Sequence, residues 1–310
     1  MAHLVQTMAY VGAEPWHGLG QRLQPRQPLE AWQQAASMDW TIEASPVRFF
    51  NGSETLHSFP EQLVLHRSDN HAPLAVVSQR FQVVQPREIL EFYRDLSEVS
   101  GFELETAGVL KGGKKFWALA RTGQSTTLKG HDTVKGYLLL ATACDGTLAT
   151  TAQFTSVRVV CNNTLHIALG DNLGAVKVSH RSMFEANTVK RQLGIAVSSW
   201  DGFMMRMQAL AACKITDAQA QAFLHKVLGT HPQAPEKAFR AVYDLYQGHG
   251  QGSDLASAQG TAWGLVNAVT EYADHSKRAR SSDHRLDSAW FGPGAQLKQA
   301  AWNEAVKLVA

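Results

Sequence analysis

Residues 135–161 read KGYLLLATACDGTLATTAQFTSVRVVC, and this stretch decides the fold. Two runs of apolar and β-branched residues, Lys135 to Cys144 and Leu148 to Cys161, flank Asp145-Gly146, a dipeptide that supplies the positive φ a tight hairpin requires. Working outward, Phe102 to Leu110 and Lys115 to Arg121 read as a second strand pair around the turn Lys111-Gly112-Gly113-Lys114, and Lys177 to His180 adds a short strand. The centre of the chain is therefore an antiparallel sheet. Before it, Leu29 to Met38 reads as a short helix. Trp40 to Phe49, Gln62 to Arg67, Leu74 to Ser78 and Phe81 to Gln85 read as strands, with Asp69-Asn70 as a turn. Pro86 opens a helix over Arg87 to Val99 with an apolar stripe of Ile89, Leu90, Phe92, Tyr93 and Leu96.

After residue 180 the period becomes helical. Ser182-Met183-Phe184-Glu185 matches a capping box, and Val189, Leu193, Ala196, Trp200, Phe203, Met207 and Leu210 alternate by four and three, which predicts one long helix with a packing seam. Further helices are expected over Thr216 to Leu228, Pro235 to Gln247, Ala256 to Asp274 and Ala295 to Val309, with Gly248 to Ser253 as a flexible linker. The predicted architecture is α+β: a mainly antiparallel sheet crossed by a long helix and followed by a helical C-terminal region. The expected division places a mainly β region at 1–180 and a helical region at 181–310.

The chain has 310 residues, 45% hydrophobic and 18% charged, a globular composition that excludes disorder and coiled-coil rods. No apolar run approaches the roughly 20 residues that span a bilayer, and the N-terminus lacks the basic start and apolar core of a secretory signal. Cys144, Cys161 and Cys213 are widely spaced, which argues against a disulfide framework and for a reducing cytoplasm. The net charge of +2 conceals a strong asymmetry. Residues 1–110 hold 7 Lys and Arg against 13 Asp and Glu, residues 111–214 hold 13 against 5, and residues 215–310 hold 9 of each. A basic middle third predicts either a polyanion-binding face or charge complementarity between segments or subunits.

Gly108 to Lys115 matches G-x-x-x-x-G-K, but lysine follows where a phosphate-binding loop needs serine or threonine, and a strand follows where that loop needs a helix. The stretch reads as a basic hairpin turn. Lys111, Lys114, Lys115, Arg121, Lys135 and Arg158 are candidate phosphate contacts, and Phe116, Trp117 and Phe154 are candidate stacking residues for single-stranded nucleic acid. Strand alternation places Phe154, Ser156 and Arg158 on one face. A competing reading makes Phe154 and Trp117 core and pairs Arg158 with a carboxylate. A second basic group comprises His180, Arg181, Lys190 and Arg191, and a third comprises Lys277, Arg278, Arg280 and Arg285. Asn162 and Asn163 suit either a strand-ending turn or a phosphate contact.

Catalytic signals are weak. His57, His66 and His71 lack regular ligand spacing, and Asp132, Asp145, Asp171, Glu185 and Asp201 are too dispersed for a metal-dependent nuclease cluster, so no metal, cofactor or catalytic residue is assigned.

Three blocks, Pro15-Trp16-His17-Gly18-Leu19-Gly20, Arg158-Val159-Val160-Cys161-Asn162-Asn163-Thr164-Leu165 and Trp290-Phe291-Gly292, resemble the phage/plasmid-like protein family of mobile elements. That family in turn is similar to the single-strand annealing recombination proteins, whose sheet and long helix form DNA-binding rings without nucleotide. The resemblance implies a single-stranded-DNA-binding or annealing accessory protein in a bacterial cytoplasm, acting as a homo-oligomer. An alternative is a protein-interaction module, such as an inhibitor of a host defence factor, and a second alternative is a nucleic-acid enzyme. The helix seam and the opposed charges of the first and middle thirds predict head-to-tail self-association, which closes into a ring when the rotation permits. The competing expectation is that the seam packs within its own chain.

Overall fold

The computed structural model describes residues 8–12, 20–52, 55–100, 102–158, 163–166, 175–197, 199–229 and 237–309. The protein is α+β, with a large, mainly antiparallel sheet and C-terminal helices, as the patterning predicts. The elements up to the central strands are β1 (Met8–Val11), β2 (Gln21–Leu23), α1 (Leu29–Ala35), β3 (Ile42–Phe50), β4 (Leu56–Arg67), β5 (Pro73–Ser78), α2 (Pro86–Ser100) and β6 (Glu103–Leu110). Then come β7 (Lys115–Leu128), β8 (Asp132–Ala143), β9 (Thr150–Arg158), β10 (Asn163–His166) and β11 (Ala175–Val178). The helices that follow are α3 (Ala186–Val197), α4 (Ser199–Ala212), α5 (Asp217–Leu228), α6 (Lys237–Asp244), α7 (Ala262–Glu271), α8 (Ser282–Phe291) and α9 (Pro293–Val306). No helix among the described residues is long and apolar enough to cross a membrane.

The large sheet has the order β10-β9-β8-β7-β6-β1-β2, and β11 pairs with the first half of β9 while β10 pairs with its second half. A separate three-stranded sheet has the order β3-β4-β5. The chain divides into two compact units. The first comprises Met1–Thr122, Leu138–Gln153 and Ala175–Leu193, and the second comprises Gly123–Tyr137, Phe154–Gly174 and Gly194–Ala310. The boundary expected at 180/181 falls within a segment of the first unit.

In the first unit the hairpin at Asp145-Gly146 forms as its sequence dictates: Gly146 has φ 74, the Thr147 N–H donates to Asp145 Oδ1 at 3.0 Å, and the Ala143 N–H donates to Leu148 O at 3.2 Å. The α2 stripe buries Ile89, Leu90, Phe92 and Tyr93. The Tyr93 hydroxyl donates to Ala118 O at 2.9 Å and lies 3.0 Å from Leu138 O, joining helix to sheet at a point with no solvent. Phe81 to Gln85 is not a strand. Instead the Gln85 side-chain amide takes both main-chain groups of Ile42, at 2.8 and 3.1 Å, doing with a side chain what a strand neighbour does with its backbone.

In the second unit α5 is fixed by purely local signals. Thr216 and Gln219 form a reciprocal capping box, and Gly229 ends the helix at φ 66. The helix expected from Ala256 starts later, at Ala262, because Thr261 caps it through Gly264 N–H at 3.1 Å. Gly264 is obligatory there, since a Cβ would lie 2.1 Å from Ala258 O. The short elements β1, β2, β10 and α8 carry too few residues or too mixed a pattern to be read from periodicity.

Two expectations are corrected. The expected helix is described as α3 and α4, on either side of residue 198, which lies outside the described residues; α3 begins at Ala186 with the N–H groups of Thr188 and Val189 bonded to Glu185 O, so Ser182 does not cap it. Val189, Trp200, Phe203, Met207 and Leu210 are buried, with Phe203 4.9 Å from the Trp302 ring. The expected linker Gly248 to Ser253 is a fixed loop. The N–H of Gly250 donates to Leu245 O at 3.0 Å and that of Gln251 to Glu271 Oε2 at 3.0 Å.

Replacing Tyr93 by Phe removes only the hydroxyl that serves two strand carbonyls. Urea unfolding is expected to show a loss of about 1–3 kcal/mol with an unchanged m-value.

Candidate nucleic-acid interface

Lys111, Gly112 and Gly113 all take left-handed conformations, with φ 55, 68 and 107, and carry the chain from β6 back into β7. Gly113 has no substitute, because a Cβ would come within 3.0 Å of the Trp40 ring and 3.1 Å of Leu74. The Cys144 N–H donates to Lys114 O at 2.9 Å, tying this turn to the Asp145-Gly146 turn. His180 continues the chain of contacts, with Nε2 2.9 Å from Leu148 O and Nδ1 3.2 Å from Gln82 O, while its ring stacks on Phe81 at 4.4 Å. Along these joined turns and β11 of the first unit, Lys111 and Lys114 are half-buried, and Arg80, Lys177 and Arg181 are exposed. On α3, Lys190 lies 5.3 Å over the Phe92 ring, and exposed Arg191 donates to Thr188 Oγ1 at 3.1 Å. Asn162 lies outside the described residues, and Asn163 pairs with Arg158 in the β10–β9 register.

Of the remaining candidates, Lys115, Phe116, Trp117, Phe154 and Arg158 are buried. Phe116, Trp117 and Phe154 are 0%, 1% and 3% exposed, so the stacking role expected of them has no surface to act from. Both faces of these strands are covered, and alternation alone does not reveal that. Lys115 is buried, Lys135 is half-buried, and Arg121 pairs with Glu105 at 2.7 Å and Glu103 at 3.6 Å. Arg158 is 2% exposed and grips Asp132 with two parallel bonds, Nε to Oδ1 at 2.6 Å and Nη2 to Oδ2 at 2.9 Å. The competing sequence reading holds for these residues: a carboxylate of the same chain occupies the guanidinium that a phosphate would need.

Around that pair the second unit builds a polar network that the sequence did not announce. Asp132 Oδ2 also accepts from Ser257 Oγ at 2.6 Å and Trp263 Nε1 at 3.0 Å, and Arg158 Nη2 donates to Gly252 O at 3.0 Å. Arg158, Gln251 and Glu271 line a polar recess with room for about one water molecule. Burial pushes the Glu271 carboxyl up, opposed by the Gln251 N–H. A second network joins Lys298 Nζ to Asp274 Oδ1 at 2.6 Å and to Thr164 Oγ1 at 2.7 Å, with burial pulling the Lys298 ammonium down and Asp274 opposing it. These partners are separated by up to 134 positions, so no spacing rule links them.

Residues 73–290 match the family model described as a domain of unknown function, DUF932. The chain belongs to the DUF932 family. No curated protein and no solved structure matches it. The DUF932 stretch contains the basic turns and the Asp132–Arg158–Ser257–Trp263 network, whereas β3 and β4 precede it and Lys298 follows it.

Asp132→Ala leaves a buried guanidinium unpaired and is expected to cost about 3–5 kcal/mol in urea unfolding, against less than about 0.5 kcal/mol for Lys114→Ala. Burial pushes the Cys144 thiol up to about 12. In native protein at pH 8, iodoacetamide is therefore expected to spare Cys144 while labelling half-exposed Cys213, and urea is expected to remove the difference.

Proposed function

We propose that this DUF932 chain binds single-stranded DNA through its phosphate backbone, with little sequence preference, as a phage or plasmid accessory or annealing protein that works without nucleotide hydrolysis in a bacterial cytoplasm. The observation that carries this reading is the set of first-unit cations Arg80, Lys111, Lys114 and Arg181 on hydrogen-bonded turns and Lys177 on β11. Cations held out of the core on a rigid backbone suit phosphate contacts, whose contribution is electrostatic and independent of sequence. Base stacking passes to a different set of rings. Phe49, Phe50 and Phe59 on the β3–β4 hairpin are 47%, 66% and 39% exposed, beside exposed Arg48, the aromatic and guanidinium combination that single strands use. Self-association belongs to the same reading and rests on the charge asymmetry of the first and middle thirds, the helix seam being buried.

A second reading, a protein-interaction module, draws on the same small sheet, where Phe49, Phe50, Leu56, Phe59 and Val76 are all exposed. Salt separates the two. Anisotropy of a labelled oligothymidylate is expected to give a log affinity that falls with log salt at a slope of about −3, if five cations release counterions. The double variant Lys114→Glu/Arg181→Glu is expected to bind at least about tenfold more weakly with an unchanged melting temperature, and Phe50→Ala to lose about 1–3 kcal/mol of binding. Absence of binding at low salt, or a flat salt response, overturns the DNA reading.

A further inference from the structure

We propose that Glu43, His66 and His71, in the three-stranded sheet of the first unit, form a site for one divalent transition-metal ion of the zinc class. Among the described residues these three place a carboxylate oxygen and two imidazole nitrogens within 4.8 Å of one another. The backbone dictates the meeting. Glu43 on β3 and His66 on β4 are directly opposite in the antiparallel register, so their side chains leave the same face of the sheet. His66 Nδ1 lies 3.8 Å from Glu43 Oε2. The turn after β4 then returns His71 over His66, with the ring centroids 6.1 Å apart. His57, grouped with these histidines in the sequence, lies elsewhere on β4 opposite Phe49 and takes no part.

The surroundings hold this arrangement in place. His71 has φ 56, a conformation that a non-glycine residue adopts at a cost and that here aims its side chain back at the strand. Its N–H donates to Arg67 O at 3.1 Å, the Ala72 N–H donates to Asn70 Oδ1 at 2.9 Å, and Ser68 exchanges main-chain and side-chain bonds with Thr41 at the start of β3. The neighbouring cation has its own partners: Arg67 forks onto Asp69 at 2.8 and 2.6 Å and lies 4.0 Å over the Trp40 ring. Ser45 Oγ sits 2.9 Å from His66 Nε2 and Arg67 O lies 3.4 Å from Nδ1; in the tautomer that donates from Nε2 to Ser45, Nδ1 is the ligand atom beside Glu43.

Two imidazoles and one carboxylate select zinc-class ions over magnesium or calcium, which take oxygen ligands. A tetrahedral ion with bonds of about 2.1 Å needs ligand atoms about 3.4 Å apart, so the set closes by roughly 1.4 Å. Exposed Glu43 and His71 have the rotamer freedom to do this, and their exposure gives the ion a path from solvent. Three protein ligands leave at least one position for water or an external ligand. Because β3 and β4 precede the DUF932 match, the site is a property of this chain and is independent of the DNA-binding proposal.

The test is a calorimetric titration of the full chain, stripped with chelator, with zinc chloride alone. One ion per chain is expected, and His66→Gln, His71→Asn and Glu43→Gln are each expected to weaken it at least about tenfold. Asparagine at 71 tolerates the left-handed backbone, so that variant removes the imidazole and keeps the turn. Metal-free melting curves identify any variant that fails to fold, and His131→Gln, in an exposed turn of the second unit, is expected to bind as the parent does. Zinc is also expected to slow amide exchange in residues 68–72. Absence of a stoichiometric site, or affinity unchanged in the folded variants, overturns the proposal.

Discussion

A buried guanidinium and carboxylate hold the second unit together. Dehydrating each ion costs several kcal/mol, and only complete hydrogen bonding recovers it. Asp132 meets that demand by taking Arg158, Ser257 and Trp263 at once, and Arg158 by giving to Asp132 and Gly252. One pair thereby specifies where β8, β9, the 250–257 loop and the start of α7 lie. The loop has glycines at 248, 250 and 252 and a flexible composition, yet its carbonyls and N–H groups are committed to charged partners, and that commitment sets its conformation.

The same economy shapes the surface available for binding. Basic residues of the middle third that met acids of their own chain, Arg121 with Glu105 and Arg158 with Asp132, were drawn inward. Arg181, on a turn, is exposed. A count of charges by segment registers both kinds alike. What distinguishes them is whether an acid from a distant segment arrives at the same place, and this follows from tertiary structure.

The parts of the fold visible in the sequence share one trait: their causes are local. Thr216, Gln219 and Gly229 delimit α5 within one helix, and Asp145-Gly146 closes its hairpin with its own side chain and φ. The seam spacing is right about burial at Val189, Trp200, Phe203, Met207 and Leu210, because spacing reports which face of a helix is apolar. Alternation along β9 assigned faces correctly, but a strand covered on both sides buries both, so Phe154 and Arg158 joined the interior. At the small sheet the obstacle was register. Glu43 and His66 become neighbours only once Ile42 is opposite Arg67, and no ligand spacing in the chain encodes that pairing.

The order of the polar partners along the chain bears on how the protein is made. Asp132 and Arg158 leave the ribosome together, but Ser257 and Trp263, which complete their hydrogen bonding, follow about a hundred residues later. At elongation rates of about 5–20 residues per second that interval is roughly 5–20 s. For that time the strands carry a charged pair with part of its hydration still to be replaced, and Thr164 waits longer still for Lys298. A nascent chain of this kind keeps its second unit open until its final helix has been synthesised. Ribosome pausing and chaperone capture within that window therefore act on a half-built interior whose unfinished side is polar.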